Sequence, residues 1–350
     1  MAGSMNEISV TLAMNKPRVS IVIPCRNEKR FISKFLDSII TQDYPKDKLE
    51  ILMVDGMSDD GTRQVVNSYA KNHPFVRVLD NPRRITPCAF NIGIRDSKGD
   101  AIILMGSHST YKSDYISKCI KYLFEYNADN VGGAMVTLPR NDTIFGKAIA
   151  IALSHRFGVG GSAFRTGCKE PKWVDTVFGG CYRRGVFEKI GLFNEKLVSS
   201  QDMEFNQRLR NAGGKILLAP EIVSYYYARS DMASFCRNNF RNGFWAVYPL
   251  KFVKLHFSLR HYVPLIFVAS LIVTGISGIF VPFFGWLFFL ITTLYLLTVF
   301  YFSVKIAERE RNLWYLFVMP VIFANLHIGY GLGSICGAIK LLLPAKEASN

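Results

Sequence analysis

RVSIVIPCRNE, residues 18–28, is a short apolar run rich in β-branched residues, stopped by a proline and followed by a polar cluster. A strand buried on both faces of a parallel sheet reads this way, with its functional edge where the polar cluster begins. KRFISKFLDSIITQ (29–42) then places Phe31, Ile32, Phe35, Leu36, Ile39 and Ile40 at helical spacing. LEILMVDGMSDDGT (49–62) repeats the plan: a buried strand, a carboxylate at its end, and a polar turn entering a helix over Arg63–Lys71. VRVLDN (76–81) reads as a third strand, PCAFNIGIRDS (87–97) as a third helix ending near Gly99, and AIILMGSHST (101–110) as a fourth strand. Strands alternating with helices at this spacing predict a parallel α/β sheet. In such sheets the ligand sits at the carboxyl ends of the strands. Arg26, Asn27, Asp55, Ser58, Asp60 and the Gly106–Ser109 turn all fall at those ends.

The next hundred residues are less regular. DNVGGAMVTL (129–138) and KILLAPEIVSYYYAR (215–229) read as strands, with SQDMEFNQRLRNAGG (200–214) a helix between them. Residues 144–173 mix glycine, serine and basic residues and fit either an amphipathic segment or a mobile loop.

The composition describes two solvents. The chain has 350 residues, 49% of them hydrophobic, and a mean hydropathy of +0.16, more apolar than an ordinary soluble protein. The excess is confined to residues 262–303 and 314–343, which are nearly free of charge. Tyr262–Phe283 is long enough to cross a bilayer. After a PFFGW break a second span runs to about Val304, the charged KIAERERN (305–312) lies in water, and a third span covers Trp314–Leu343. The glycines of GYGLGSICG (329–337) suit close helix packing. Buried helices of a soluble domain would need three such segments in a row with almost no polar face.

The formal charge of +15 favours anionic partners. No zinc-finger spacing, RNP-like strand or compact basic helix points to nucleic acid. Beside membrane spans, a surface resting on anionic membrane lipid is the plainer account, and a diphosphate-bearing substrate would add to it. Seven scattered cysteines with no CxxC pair suit a reducing compartment rather than a disulfide framework or a zinc site. Residues 1–16 carry no apolar signal-peptide core, and MAGS before Met5 reads as an expression remnant on a flexible N-terminus.

The ordered set VSIVIPCRNE, VDGMSDDGT, NIGI, FGGCYRRGVFEKIGLFNE (178–195) and SQDMEFNQRLRNAGGKI resembles the family-2 glycosyltransferases, whose fold is termed GT-A. The membrane tail is similar in layout to bacterial exopolysaccharide enzymes of the succinoglycan type. The resemblance covers residues 18–230 and implies a GT-A type mostly parallel α/β sheet flanked by helices over 17–230. An interfacial amphipathic segment (231–261), three transmembrane helices (262–343) and a tail (344–350) would follow. It also implies a nucleotide-sugar donor, and therefore a catalytic domain in the cytosol at the cytoplasmic membrane. Lys251, Lys254 and Arg260 before the first span, and Lys305, Arg309 and Arg311 after the second, agree with the positive-inside rule. The same parity puts the tail outside, where Lys346 runs against it.

By position in that family Asp55 reads the nucleotide, with Pro24, Arg26, Asn27 and Glu28 as the first-strand wall and Ser58 in the same turn. A helix N-cap is the other role open to Asp55, and capping is the role that suits Asp60. Inverting transfer needs a base to take the acceptor hydroxyl's proton, and the family's Glu-Asp pair before a helix corresponds here to Gln201-Asp202, with Glu204 and Arg208 following. Asp202 is the expected base, against helix capping. Gly179, Gly180 and Cys181 would line the acceptor side.

The chain departs from the family at the fourth strand, where an Asp-x-Asp usually holds a divalent cation. Gly106-Ser107-His108 stands there, with Ser107 facing the donor and His108 the one candidate metal ligand. An imidazole ligates Mn²⁺ more readily than Mg²⁺. Three readings are open: a metal bound through His108 and the diphosphate, a metal-free site using Arg or Lys, or an inactive enzyme. CRNNFRNGFWAV (236–247) resembles the basic-aromatic segment preceding the spans in this branch. It keeps only Arg237, Arg241 and Trp245 of the pattern that processive synthases carry, which argues for adding a single sugar. Arg241 would offset the leaving diphosphate and Trp245 would meet the acceptor; an interfacial helix with snorkelling arginines is the plainer reading. The expected function is transfer of one sugar from a nucleotide-diphosphate sugar to a lipid-linked acceptor in exopolysaccharide, capsule or surface-glycan synthesis. The rivals are transfer to polyprenyl phosphate itself and a non-catalytic membrane scaffold.

Overall fold

The computed structural model describes residues 16–253 and 258–343. The expected N-terminal segment before Lys16 and the tail from 344 lie outside the described residues, as does Lys254. The chain divides into two compact units, Met1–Val136 with Ala163–Tyr227, and Thr137–Ser162 with Ala228–Asn350.

The first unit is built on β1 (Val19–Cys25), α1 (Ile32–Ile40), β2 (Leu49–Asp55), α2 (Thr62–Asn72), β3 (Val76–Asp80), α3 (Thr86–Asp96) and β4 (Ala101–Leu104). These strands form a parallel block in the order β3-β2-β1-β4. β1 is central because both of its faces are apolar. Val19, Ile21 and Ile23 pack with Phe35, Leu36 and Ile39 of α1, while Val22 packs with Leu52, Ala89 and Ile102 on the other face. Each of these β1 side chains is fully buried, worth about 1.5–3 kcal/mol apiece. Gly93, of the NIGI motif, explains how α3 lies so close: a Cβ there would overlap the Val22 methyls.

The apparent fourth strand is two. β4 ends at Leu104, Met105–His108 turn, and β5 (Ser109–Tyr111) goes on to pair elsewhere. Beyond it come α4 (Tyr115–Glu125), β6 (Asn130–Pro139), α5 (Ile144–Ser154), α6 (Arg156–Val159), α7 (Ala163–Thr166), β7 (Lys172–Trp173) and β8 (Phe178–Arg183). α8 (Arg184–Ile190), α9 (Gln201–Asn211) and β9 (Ile216–Ala228) complete the region. β8 pairs antiparallel with both β4 and β6, and β9 antiparallel with both β5 and β7. The nine-stranded sheet is therefore mixed, parallel on one side only. Residues 144–173, left open by the sequence, hold three short helices, and 137–162 group with the second unit.

In the second unit α10 (Met232–Val247) is followed by α11 (Val263–Gly278), α12 (Pro282–Glu310), α13 (Tyr315–Ala324), a π-helical turn over Asn325–Gly329 and α14 (Tyr330–Leu342). Three stretches, Leu259–Gly278, Pro282–Glu310 and Tyr315–Leu342, are long and apolar enough to cross a membrane. Two sequence expectations change here. PFFGW is no break: Pro282 takes the first position of α12, where its missing N–H costs nothing. KIAERERN is mostly helix as well, because α12 runs to Glu310. At 1.5 Å per residue its 29 residues exceed a bilayer's roughly 30 Å hydrocarbon core by about 14 Å, so its charged turns can reach water without leaving the helix.

α10 does more than an interfacial helix would. Glycines let it approach α14 closely: a Cβ on Gly243 would overlap the Tyr330 carbonyl, and one on Gly333 the Phe240 carbonyl. Ser334 Oγ donates to Gly243 O at 3.1 Å and Asn239 Nδ2 to Asn325 Oδ1 at 2.6 Å. Deeper in the same unit His327 Nε2 meets the Phe157 carbonyl at 2.8 Å and its Nδ1 the Tyr295 hydroxyl at 3.1 Å, so both ring nitrogens are occupied.

Candidate active site

β1 and β4 are neighbours, whereas β2 and β3 extend from the other side of β1. The direction of winding therefore reverses between β1 and β4, and such a switch point opens a crevice at the carboxyl ends of the strands. A cavity of about 330 Å³ lies there. Pro24, Arg26 and Glu28 from the end of β1 line it, with Gly106, Ser107 and His108 from the turn after β4. Its third wall, Asn81, Arg84, Thr86 and Phe90, follows β3 and was missed from the sequence. No motif marks those residues, though the strand-end rule would have pointed to them. Arg84 sits at φ 58°, a left-handed conformation that few non-glycine residues adopt.

Asn27, Asp55 and Ser58 stand behind this wall. Asp55 is 1% exposed, and its carboxylate accepts the Ser58 hydroxyl at 2.5 Å and an Arg63 N–H at 3.3 Å. Ser58 Oγ in turn accepts the Asn27 N–H at 3.0 Å, and Asn27 Oδ1 accepts the Asp59 N–H at 3.1 Å. Asp55 thus ties the β2 turn to the β1 end, and it is not the N-cap of α2, a position held by Gly61. Asp60 accepts the Thr62 hydroxyl and N–H and the Lys29 N–H, which hold its carboxyl below the usual range. Burial, then the charges of Asp55 and Glu28, push the Cys25 thiol up to about 12, so it takes no part as a thiolate.

Replacing Asp55 with alanine should therefore strip partners from Ser58 and Arg63. Arg63 keeps Asp80 and is 37% exposed, so the loss falls below the cost of breaking a fully buried pair. The expected destabilisation is about 1–3 kcal/mol, read from thermal unfolding in detergent. An unchanged melting temperature would contradict the tie.

The second cluster lies on β8 and α9. Gly179 (φ 70°) and Gly180 (φ 110°) adopt backbone conformations closed to most side chains, and they bring β8 against β4. Cys181 is fully buried and packs in the core, away from any acceptor-facing surface. Asp202 is in the first turn of α9, whose N-cap is Ser200 at φ 62°. It is solvent-exposed, yet the protein around it pushes its carboxyl above the usual range, outweighing the Met203 and Asp202 N–H groups that pull it down. One turn on, Asn206 accepts the Tyr182 hydroxyl at 3.0 Å and donates to Thr176 at 3.0 Å, fixing α9 beneath β8. Arg208 grips Glu204 through two N–H groups, and it also caps the Ile190 and Leu192 carbonyls at 2.6 and 2.7 Å. These contacts explain the Glu204 and Arg208 positions as supports that set the start of α9. Arg241 and Trp245 belong to α10 in the second unit, Arg241 exposed and Trp245 against Phe244 and Tyr248.

One contact in the cavity wall stands out chemically. His108 Nε2 is 3.0 Å from Glu28 Oε1, with the carboxylate side chain 10% exposed and the imidazole 49%. Among the described residues no group of three or more His, Cys, Asp or Glu side chains gathers as a metal site.

Residues 20–191 match the family model described as glycosyl transferase family 2. This stretch is a family-2 glycosyltransferase domain. The chain is 29% identical over 330 residues, 92% of its length and 97% of the relative's, to the dolichyl N-acetyl-alpha-D-glucosaminyl phosphate 3-beta-D-2,3-diacetamido-2,3-dideoxy-beta-D-glucuronosyltransferase of Methanococcus voltae. It is 31% identical over 214 residues, 61% of its length and 64% of the relative's, to the succinoglycan biosynthesis protein ExoA of Rhizobium meliloti. The fold matches the mannosyltransferase PcManGT of Pyrobaculum calidifontis, solved with GDP-Man and Mn²⁺. The TM-score is 0.59 at 18% identity, over 95% of this chain and 93% of that one. The architecture is thus GT-A followed by apolar C-terminal helices, and residues 20–191 make the chain a family-2 glycosyltransferase.

Proposed function

We propose that this glycosyltransferase moves one sugar, with inversion, from a nucleotide-diphosphate sugar to a lipid-linked saccharide. The observation that carries the reading is the crevice at the β1/β4 switch point, placed as a nucleotide site of an α/β sheet should be. Arg26, Glu28, Ser107 and His108 would face the donor, and Asp55 would act through Ser58 and the loop it ties down. Asp202 would take the proton of the acceptor hydroxyl, a role that suits a carboxylate whose basicity is raised. Gly179 and Gly180 would leave room for the acceptor beside it.

The donor set fits a divalent cation: His108 and Glu28 would hold it, and the ion would offset the charge of the leaving diphosphate. The imidazole favours Mn²⁺ over Mg²⁺. The lipid is inferred from the apolar helices and from the dolichyl-linked acceptor in the name of the Methanococcus voltae relative. We infer that those helices anchor the domain at the cytosolic face of a membrane.

The test uses the detergent-purified chain, a panel of nucleotide sugars and an isoprenoid-diphosphate-linked saccharide, with Mn²⁺, Mg²⁺ or EDTA. Expected is an organic-phase product from one donor, with Mn²⁺ outperforming Mg²⁺, EDTA abolishing turnover, and the anomeric configuration inverted by NMR. A retained anomer would overturn the mechanism. Equal turnover on a water-soluble saccharide would overturn the lipid acceptor.

A further inference from the structure

We propose that Glu28 is the carboxylate replacing the one absent at Gly106, so that Glu28 and His108 form a two-ligand cation site completed only by the donor's diphosphate. The inference rests on the cavity being the donor site and goes past it in naming a ligand from a different strand, with consequences for metal choice and binding order. His108 Nε2 and Glu28 Oε1 are 3.0 Å apart on the walls contributed by neighbouring strands. Glu28 is pinned there from behind. Its N–H donates to Thr62 Oγ1 at 2.7 Å, and its carbonyl accepts the Phe31 and Ile32 N–H groups at 2.8 and 2.9 Å as α1 begins. These contacts fix the backbone that carries Glu28, and its side chain, 10% exposed, meets the His108 imidazole on the cavity wall.

Three consequences follow from the donor set. One nitrogen and one carboxylate carry a single negative charge where two aspartates would carry two. Magnesium keeps to oxygen ligands and dehydrates reluctantly, whereas Mn²⁺ accepts imidazole, so the pair selects Mn²⁺. With no third His, Cys, Asp or Glu among the described residues, the pair holds an ion weakly by itself. Cation and nucleotide must then assist each other's binding by the same factor. Finally, a Cβ built on Gly106 meets nothing within 4 Å, and the residue is not among those at positive φ. An aspartate therefore fits at position 106 and would add the missing ligand.

The experiment reads Mn²⁺ binding by the loss of its free EPR signal on the purified full chain, alone and with GDP or UDP as probe. Nucleotide binding is followed separately by calorimetry with and without Mn²⁺. Expected is weak Mn²⁺ binding alone and tight binding with one of the two nucleotides. Glu28→Gln should weaken the ternary complex by at least the roughly 10–100-fold that loss of even an outer-shell partner costs. Gly106→Asp should strengthen Mn²⁺ binding without nucleotide, and His108→Asp should move the preference toward Mg²⁺. Parent-like ternary binding by a folded Glu28→Gln variant would overturn the proposal. So would a Gly106→Asp variant with no gain, a readout that stands even if Glu28→Gln fails to fold. Nucleotide binding that ignores Mn²⁺ would make the pair a plain ion pair and overturn the cation site while keeping the donor cavity. If neither nucleotide binds under any condition, the donor reading falls and the proposal with it.

Discussion

Replacing Asp202 with asparagine should lower turnover by about 10²–10⁴-fold, the range that a positioned proton acceptor contributes, while donor affinity stays at the parent value. Asparagine keeps the shape and still accepts the first-turn N–H groups of α9, so only the basicity is removed. The pH dependence gives a second readout. Desolvation by the surrounding protein raises the Asp202 carboxyl above its ordinary value, so the acid limb of kcat/KM should lie above the usual aspartate range near pH 4 and vanish from the residual rate of the variant. The sign for stability is opposite to that of a salt-bridged carboxylate. A raised folded pKa contributes stability that is complete below the unfolded pKa and is lost as pH rises through the folded one. At neutral pH the ionised side chain is thus a burden, and the asparagine variant should melt no lower than the parent. An inactive variant that also melts far lower would mean that Asp202 holds the helix; an active one would remove it as the base.

Much of the crevice wall was legible because parallel strands print themselves as unbroken apolar runs, and their ends are where polar residues first become possible. VSIVIPC and LEILMVD needed only that rule to place Arg26, Glu28 and Asp55 near one edge. What the rule cannot give is which strand ends meet. Glu28 and His108 are 80 positions apart, and they touch because β4 returns to lie beside β1. The Asn81–Phe90 wall follows the end of β3, so the same rule reaches it, but its loop and helix-start residues carry no catalytic signature. Asp55 shows what strand-end position leaves out: its carboxylate is buried and held by Ser58 and Arg63. In the apolar tail hydropathy located the long apolar helices but misplaced their ends, since a helix need not stop where its apolar residues do. α12 continues through Lys305, Glu308 and Arg309, with Ile306 and Ala307 buried and Lys305 paired to Glu308.

Gly243, buried on α10, is a sensitive point of the second unit. Small residues on facing helices let the two backbones approach closely, and that approach supplies the packing. α10 and α14 meet through Gly243, Gly333 and Gly337, each of which would press a Cβ onto a backbone carbonyl of the facing helix. A carbonyl cannot swing aside as a flexible side chain can, so Gly243→Val must part the helices. Overpacking alone costs about 1–3 kcal/mol, occasionally more. Parting the helices would also stretch the Ser334–Gly243 and Asn239–Asn325 hydrogen bonds, which adds about 0.5–1.5 kcal/mol for each one lost. The expected result is a marked fall in melting temperature in detergent for Gly243→Val and a smaller one for Gly243→Ala. Asn242→Ala, at an exposed neighbouring position of the same helix, should melt like the parent. Equal melting of Gly243→Val and Asn242→Ala would show that α10 does not depend on this approach, and the glycines would then need another explanation.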